Sequence, residues 1–169
     1  MSQPRTFALH EVAPGIFTGR KPGRQHSFDA LRAQGVRTIL NLEMLPWDVW
    51  PEHRQARRNG FQFRDVPILA SPLPPSEKRV KEALLILNDP SLRPIFVHCF
   101  LGEDRTAFII GLYRVYFLDW APPTAWQEML RAGFHVRFGL RGFARYFWHH
   151  TTIPDWVNQA RSPPEDKTP

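Results

Sequence analysis

Apolar and polar positions along the chain come in short blocks whose period switches repeatedly between that of a strand and that of a helix. Residues 8–12 and 15–18 have strand-like composition and are divided by a turn at Ala13-Pro14-Gly15. A basic loop, residues 19–24, follows. Ser27 is expected to cap a helix that carries Phe28 and Leu31 and closes at Gly35. Residues 36–42 have the β-branched content of a buried strand, and a second helix is predicted over 48–59, stopped by Gly60 just past its end. Residues 61–68 predict the next strand, and residues 69–75 a loop stiffened by prolines. Ser76 is expected to cap a third helix, in which Val80, Ala83, Leu84 and Leu87 recur on one face.

The strand Ile95-Phe96-Val97 then runs straight into His98-Cys99-Phe100-Leu101-Gly102-Glu103-Asp104-Arg105-Thr106, and a long apolar helix leaves from Thr106 towards Asp119. Thr124 with Gln127 forms a capping-box pattern ahead of Met129 and Leu130, in a helix closed by Gly133. Residues 139–150 predict a further helix carrying Arg141 and Arg145. Such alternation predicts an α/β fold, a mostly parallel central sheet flanked by helices, formed as a single domain over residues 1–161. The polar, proline-rich residues 162–169 are expected to be a disordered tail.

Composition narrows the function classes. A hydrophobic content of 43% and a charged content of 22% are those of a globular chain, and 169 residues suffice to bury a core. No stretch approaches the ~18 consecutive apolar residues of a membrane span. The first residues lack the apolar region of a cleaved signal, and a lone cysteine fits a reducing compartment, so a cytoplasmic location is expected. The net charge of +6 favours anionic partners; its spread along the chain points to steering rather than to a nucleic-acid arm. Arg20, Lys21, Arg24, Arg137 and Arg141 are candidates to line a basic mouth.

The one cysteine stands at a strand-to-helix turn. Hydrolysis of a phosphate monoester needs an ionised nucleophile, a cradle for three oxygens and a proton source for the leaving group. A free thiol titrates near ~8.5, and a helix N-terminus with a neighbouring guanidinium lowers it by several units. Backbone N–H groups of a tight turn form an anion nest, Gly102 gives that turn its freedom, and Arg105 offers a two-pronged donor to phosphate oxygens. A Walker-type loop is excluded because no Gly-Lys-Ser/Thr follows, and one cysteine without a second ligand cluster argues against a metal site.

His98-Cys99-X5-Arg105-Thr106 resembles the signature of cysteine-dependent protein tyrosine and dual-specificity phosphatases. The upstream segments Pro14-Gly15-Ile16-Phe17-Thr18-Gly19-Arg20 and Gly35-Val36-Arg37-Thr38-Ile39-Leu40-Asn41-Leu42 resemble the opening of the compact atypical type found in bacteria, plants and fungi. The resemblance implies a phosphocysteine intermediate on Cys99, phosphoryl binding by Arg105 and the loop Phe100, Leu101, Gly102, Glu103 and Asp104, stabilisation of the leaving thiolate by Thr106, and tuning by His98. It implies no metal and no organic cofactor, and a phosphoprotein or a small phosphorylated molecule such as an inositol phosphate as substrate, acted on by a monomer.

One departure is plain. Most of this family carry an aspartate general acid on a loop about thirty residues before the cysteine, whereas residues 69–75 contain no Asp, Glu or His. Asp65 is close in sequence but falls within the strand predicted over 61–68, where it is equally a solvated or paired carboxylate, and Asp48 and Glu43 lie further off. Asp104, next to Arg105, is similar to the in-loop aspartate of myotubularin-like and Sac-like phosphatases, which implies proton donation from inside the loop; bracing of the loop is the other reading. A phosphate-binding module with little turnover, and a sulfur-transfer or arsenate-reducing enzyme, are the competing functions.

Overall fold

The computed structural model describes residues 7–136 and 138–161. At its centre is β5 (Ile95–His98), whose four side chains are all buried. A strand covered on both faces reads as a continuous apolar run, which is why no alternation is visible here. β5 pairs in parallel with β2 (Ile16–Gly19) on one side and β3 (Thr38–Asn41) on the other. β4 (Gln62–Asp65) runs parallel to β3 at one edge, and β1 (Leu9–Ala13) closes the other edge antiparallel to β2. The order is β1-β2-β5-β3-β4, the mostly parallel α/β sheet that the pattern predicts.

Successive side chains of a strand point to opposite faces, and the core divides accordingly. Phe96, Ile39 and Phe17 pack with Phe28 and Leu31 of α1 (Gln25–Ala33) and Ala56 of α2 (Pro46–Arg58). Ile95, Val97, Leu40 and Leu42 face the larger cluster, built from α3 (Glu77–Asn88), α4 (Asp104–Phe117), α5 (Pro122–Arg131) and α6 (Arg141–His149). α4 is buried almost all round, so it carries no amphipathic stripe.

Several local expectations are corrected. Ser27 is buried inside α1, which starts at Gln25 with Arg24 at the N-cap; the Ser27 N–H bonds the Arg24 carbonyl. α2 starts at Pro46, two residues earlier than expected, because proline at the first position lacks the N–H that would go unbonded there. The strand expected over 61–68 is regular only over Gln62–Asp65; beyond it the Val66 and Ile68 N–H groups still bond Asn41 and Leu42. Ser76 sits at the α3 N-cap, but its hydroxyl makes no capping bond. Thr124 is not a cap, since α5 begins at Pro122 behind Ala121. The helix expected over 139–150 divides into a 3-10 turn at Phe138–Leu140 and α6. The pattern gave no sign of α7 (Asp155–Arg161), which buries only Val157. The expected tail, residues 162–169, lies outside the described residues, as does Arg137.

Candidate active site

β5 ends at His98, and α4 begins at Asp104 rather than at Thr106, so the connection is only residues 99–103 and Arg105 and Thr106 belong to the first helical turn. The first N–H groups of a helix have no intrahelical acceptor and carry the positive end of its dipole. Cys99 is a free, buried cysteine at the start of this turn. Gly102 has φ +77°, and a Cβ there would lie 2.1 Å from the Gly19 carbonyl oxygen. Only glycine fits both the left-handed backbone and that close approach. The Lys21 N–H also bonds the Phe100 carbonyl at 3.3 Å, which seats the turn on the end of β2.

Glu43 orients Arg105. Its Oε1 and Oε2 accept from Nη1 and Nη2 of the guanidinium at 2.8 and 3.2 Å, a bidentate pair. The Leu42 N–H bonds the His98 carbonyl at 2.9 Å, extending the β3–β5 ladder and bringing Glu43 alongside the loop. Asn41 fixes the turn, with Oδ1 accepting from the Glu43 N–H at 3.0 Å and Nδ2 donating to the Glu43 carbonyl and to Asp65 Oδ1 at 3.1 and 2.8 Å. Burial pushes the Glu43 carboxyl up, but hydrogen bonds from Arg105 and the Met44 N–H, with the charges of Arg105 and Lys21, outweigh it and hold the group below its usual range.

His98 is wholly buried. Its Nε2 lies 2.7 Å from Glu52 Oε1 in α2, a close contact rather than an aligned hydrogen bond. Its Nδ1 lies 3.0 Å from the Cys99 carbonyl oxygen, and its ring stacks on Phe96. Thr106 is buried, and its Oγ1 has no hydrogen-bond partner among the described residues. The sequence signature thus forms one site, and Glu43 and Glu52 join it from elements that sequence reading did not connect to it. A carboxylate directly following a buried strand next to the cysteine strand was the only local sign of Glu43.

No protein-family model matches the sequence. The chain is 30% identical over 118 residues to "Inositol diphosphatase DSP2" of Oryza sativa subsp. japonica, covering 66% of this chain and 54% of that protein. It is 23% identical over 144 residues to "Dual specificity protein phosphatase TpbA" of Pseudomonas aeruginosa, covering 82% of this chain and 60% of that protein. The chain therefore spans little more than half the length of the curated relatives it matches. The fold superimposes on the Siw14 catalytic core of S. cerevisiae with TM-score 0.70 at 22% identity, covering 89% of this chain and 88% of that one. In sequence the chain is similar to inositol diphosphatases and dual-specificity phosphatases, and its fold is the tyrosine phosphatase-like fold.

Asp104 Oδ1 accepts from the His135 N–H at 3.0 Å, a bond that braces the loop against the segment after α5. Glu103 packs over the same segment, where a Cβ on Gly133 would meet its Cγ at 2.9 Å. Asp65 is exposed at the end of β4 and held by Asn41. Asp48 is tied to Lys21, whose Nζ donates to the Asp48 carbonyl at 2.5 Å and lies 3.5 Å from Oδ1. Arg20, Arg24 and Arg141 are exposed, as are Phe100 and Leu101 on the rim. The acid-free residues 69–75 lie against α6, where a Cβ on Gly142 would come 1.8 Å from the Leu73 carbonyl oxygen. No cluster of three or more His, Cys, Asp or Glu side chains suited to a metal occurs among the described residues.

Proposed function

We propose that the chain is a cysteine-dependent phosphatase that works through a phosphocysteine intermediate on Cys99. The observation that carries this is Arg105, held bidentately by Glu43 on the helix that follows Cys99. Of the five N–H donors of a guanidinium, that pair uses two and leaves three for phosphoryl oxygens. The Cys99 thiolate attacks phosphorus, an S–P bond forms, and the bond to the leaving oxygen breaks with its electron pair going to that oxygen. Water then attacks phosphorus, and inorganic phosphate and the thiolate are released. The Thr106 hydroxyl, unpartnered among the described residues, is the donor assigned to the departing thiolate. His98 positions the loop through the Cys99 carbonyl. A cytoplasmic setting, where thiols stay reduced, belongs to the same reading.

The substrate class follows from the missing acid. An alkoxide leaving group is strongly basic and needs a proton in the transition state, worth about 10²–10⁴ in rate. An aryl oxide needs it less. A phosphate leaving from a diphosphate needs it least, since that oxyanion is stable near neutral pH. With residues 69–75 free of acids and Asp104 Oδ1 bonded to His135, the favoured substrate is a small molecule bearing a diphosphate, of which an inositol diphosphate is the kind named for the rice relative. The test is phosphate release from an inositol diphosphate, an aryl phosphate and a phosphoserine peptide, with Cys99→Ser as control. The expected result is Cys99-dependent release, with the peptide slower by about 100-fold or more. Asp104→Asn should reduce all three modestly and equally. A loss concentrated on the peptide would make Asp104 the proton donor, and phosphate binding without release would make the chain a binding module.

A further inference from the structure

The outer face of α2 carries a pattern that the phosphatase chemistry does not use. At about 100° per residue, Trp47, Trp50, Arg54, Arg57 and Arg58 fall within one arc of the helix, opposite the buried Val49, Glu52 and Ala56. All five are exposed, the two indoles by 70% and 71%. The three arginines form no ion pair among the described residues. The two acids of this helix are occupied elsewhere, Asp48 with Lys21 and Glu52 against His98. The stripe is thus aromatic at the end nearest the catalytic loop and purely cationic beyond it.

Exposed apolar side chains also mark the connections at the end of the sheet where α2 begins. Met44 and Leu45 after β3, Leu69 and Leu73 after β4, and Phe100 and Leu101 after β5 are all exposed, Leu73 by 72%. These connections leave the C-terminal ends of parallel strands, the end that also delivers Cys99. Phe100 lies beside the basic loop in a cleft of about 600 Å³ shared with Arg20, Lys21, Arg24 and His26. Lys21 in turn bonds the start of α2. Exposed apolar tips, the basic loop and the tryptophan end of α2 therefore share the end of the sheet that holds the catalytic loop.

We propose that this face docks on an anionic phospholipid surface. A protein partner would need a groove or a dry central patch, whereas these tips rise from three separate connections. Indoles favour the boundary between headgroups and acyl chains, and arginines on the same helix arc meet lipid phosphates. The net charge of +6 has the sign that anionic lipid attracts. Docking is independent of the Cys99 reaction.

Flotation of the full chain with vesicles of phosphatidylcholine alone, and of phosphatidylcholine with phosphatidylserine, tests this. The expected result is retention on the serine-lipid vesicles, weakening with salt. Trp47→Ser with Trp50→Ser should weaken retention about tenfold or more while the melting temperature is unchanged. Arg54→Gln with Arg57→Gln and Arg58→Gln should remove the preference for anionic lipid. Absence of retention on anionic vesicles, or retention indifferent to the tryptophan pair, overturns the proposal. So does a tryptophan variant that loses phosphopeptide turnover or self-association but was never needed for vesicle binding, since the face would then serve a protein.

Discussion

Replacing the Glu43 carboxylate by an amide of the same shape separates the two things it does for Arg105: fixing where the guanidinium sits and balancing its charge. Glu43→Gln keeps at most one acceptor for the two N–H groups now bonded, so the guanidinium is free to turn from the phosphoryl position. A displacement of about 1 Å at a reacting group costs about 100-fold, and that is the expected fall in kcat/KM on an aryl phosphate. The same substitution has a signature in stability. The folded carboxyl lies below its usual value of 4.5, so its contribution is complete above that pH and is lost as pH falls through the lower folded value. Urea midpoints measured down the acid limb should fall less steeply in Glu43→Gln than in the wild type. At this scale the sequence was readable where the proposed site is contiguous: Cys99, Gly102, Arg105 and Thr106 lie in the connection after β5 and the first turn of α4. Glu43 stands 62 residues from Arg105, and no local pattern links them.

Among the elements, the approach of residues 69–75 to α6 is the tightest feature of the rim. A Cβ at Gly142 would meet backbone, the Leu73 carbonyl oxygen at 1.8 Å, rather than the tip of a side chain that could swing aside. Gly142→Ala should therefore push the connection after β4 off α6 at a cost of about 1–3 kcal/mol, read from urea unfolding. An unchanged midpoint would mean the two backbones do not approach so closely. The type of each strand and helix as far as α6 was legible from period and flanking Gly and Pro, but boundaries and caps were not. Ser27 and Thr124 look like caps by residue type, yet Gln25 and Pro122 open those helices. Preference for a cap is worth about 1 kcal/mol, less than the packing that sets where a helix begins. α7 escaped notice because seven residues burying one valine leave no periodic signal.

For the molecule as a whole, charge and topology act over longer distances. A net charge of +6 attracts any polyanion, and the attraction is screened over about 8–10 Å at physiological salt. Raising ionic strength should lower kcat/KM for a multiply phosphorylated substrate more steeply than for an aryl monophosphate; parallel slopes would show that the charge does no steering. The sequence by itself determined the fold class, the Cys99-X5-Arg105 spacing on which the proposed nucleophile loop rests and the basic balance, because each depends on residue type and short-range spacing. Only the tertiary structure decided what stands around that loop. Parallel pairing of β3 with β5 brings Glu43 to Arg105, packing of α2 under β5 brings Glu52 to His98, and the segment after α5 takes up Asp104. Contacts between strands and helices distant in sequence depend on the order in which the chain crosses the sheet, and that order leaves no mark in local composition.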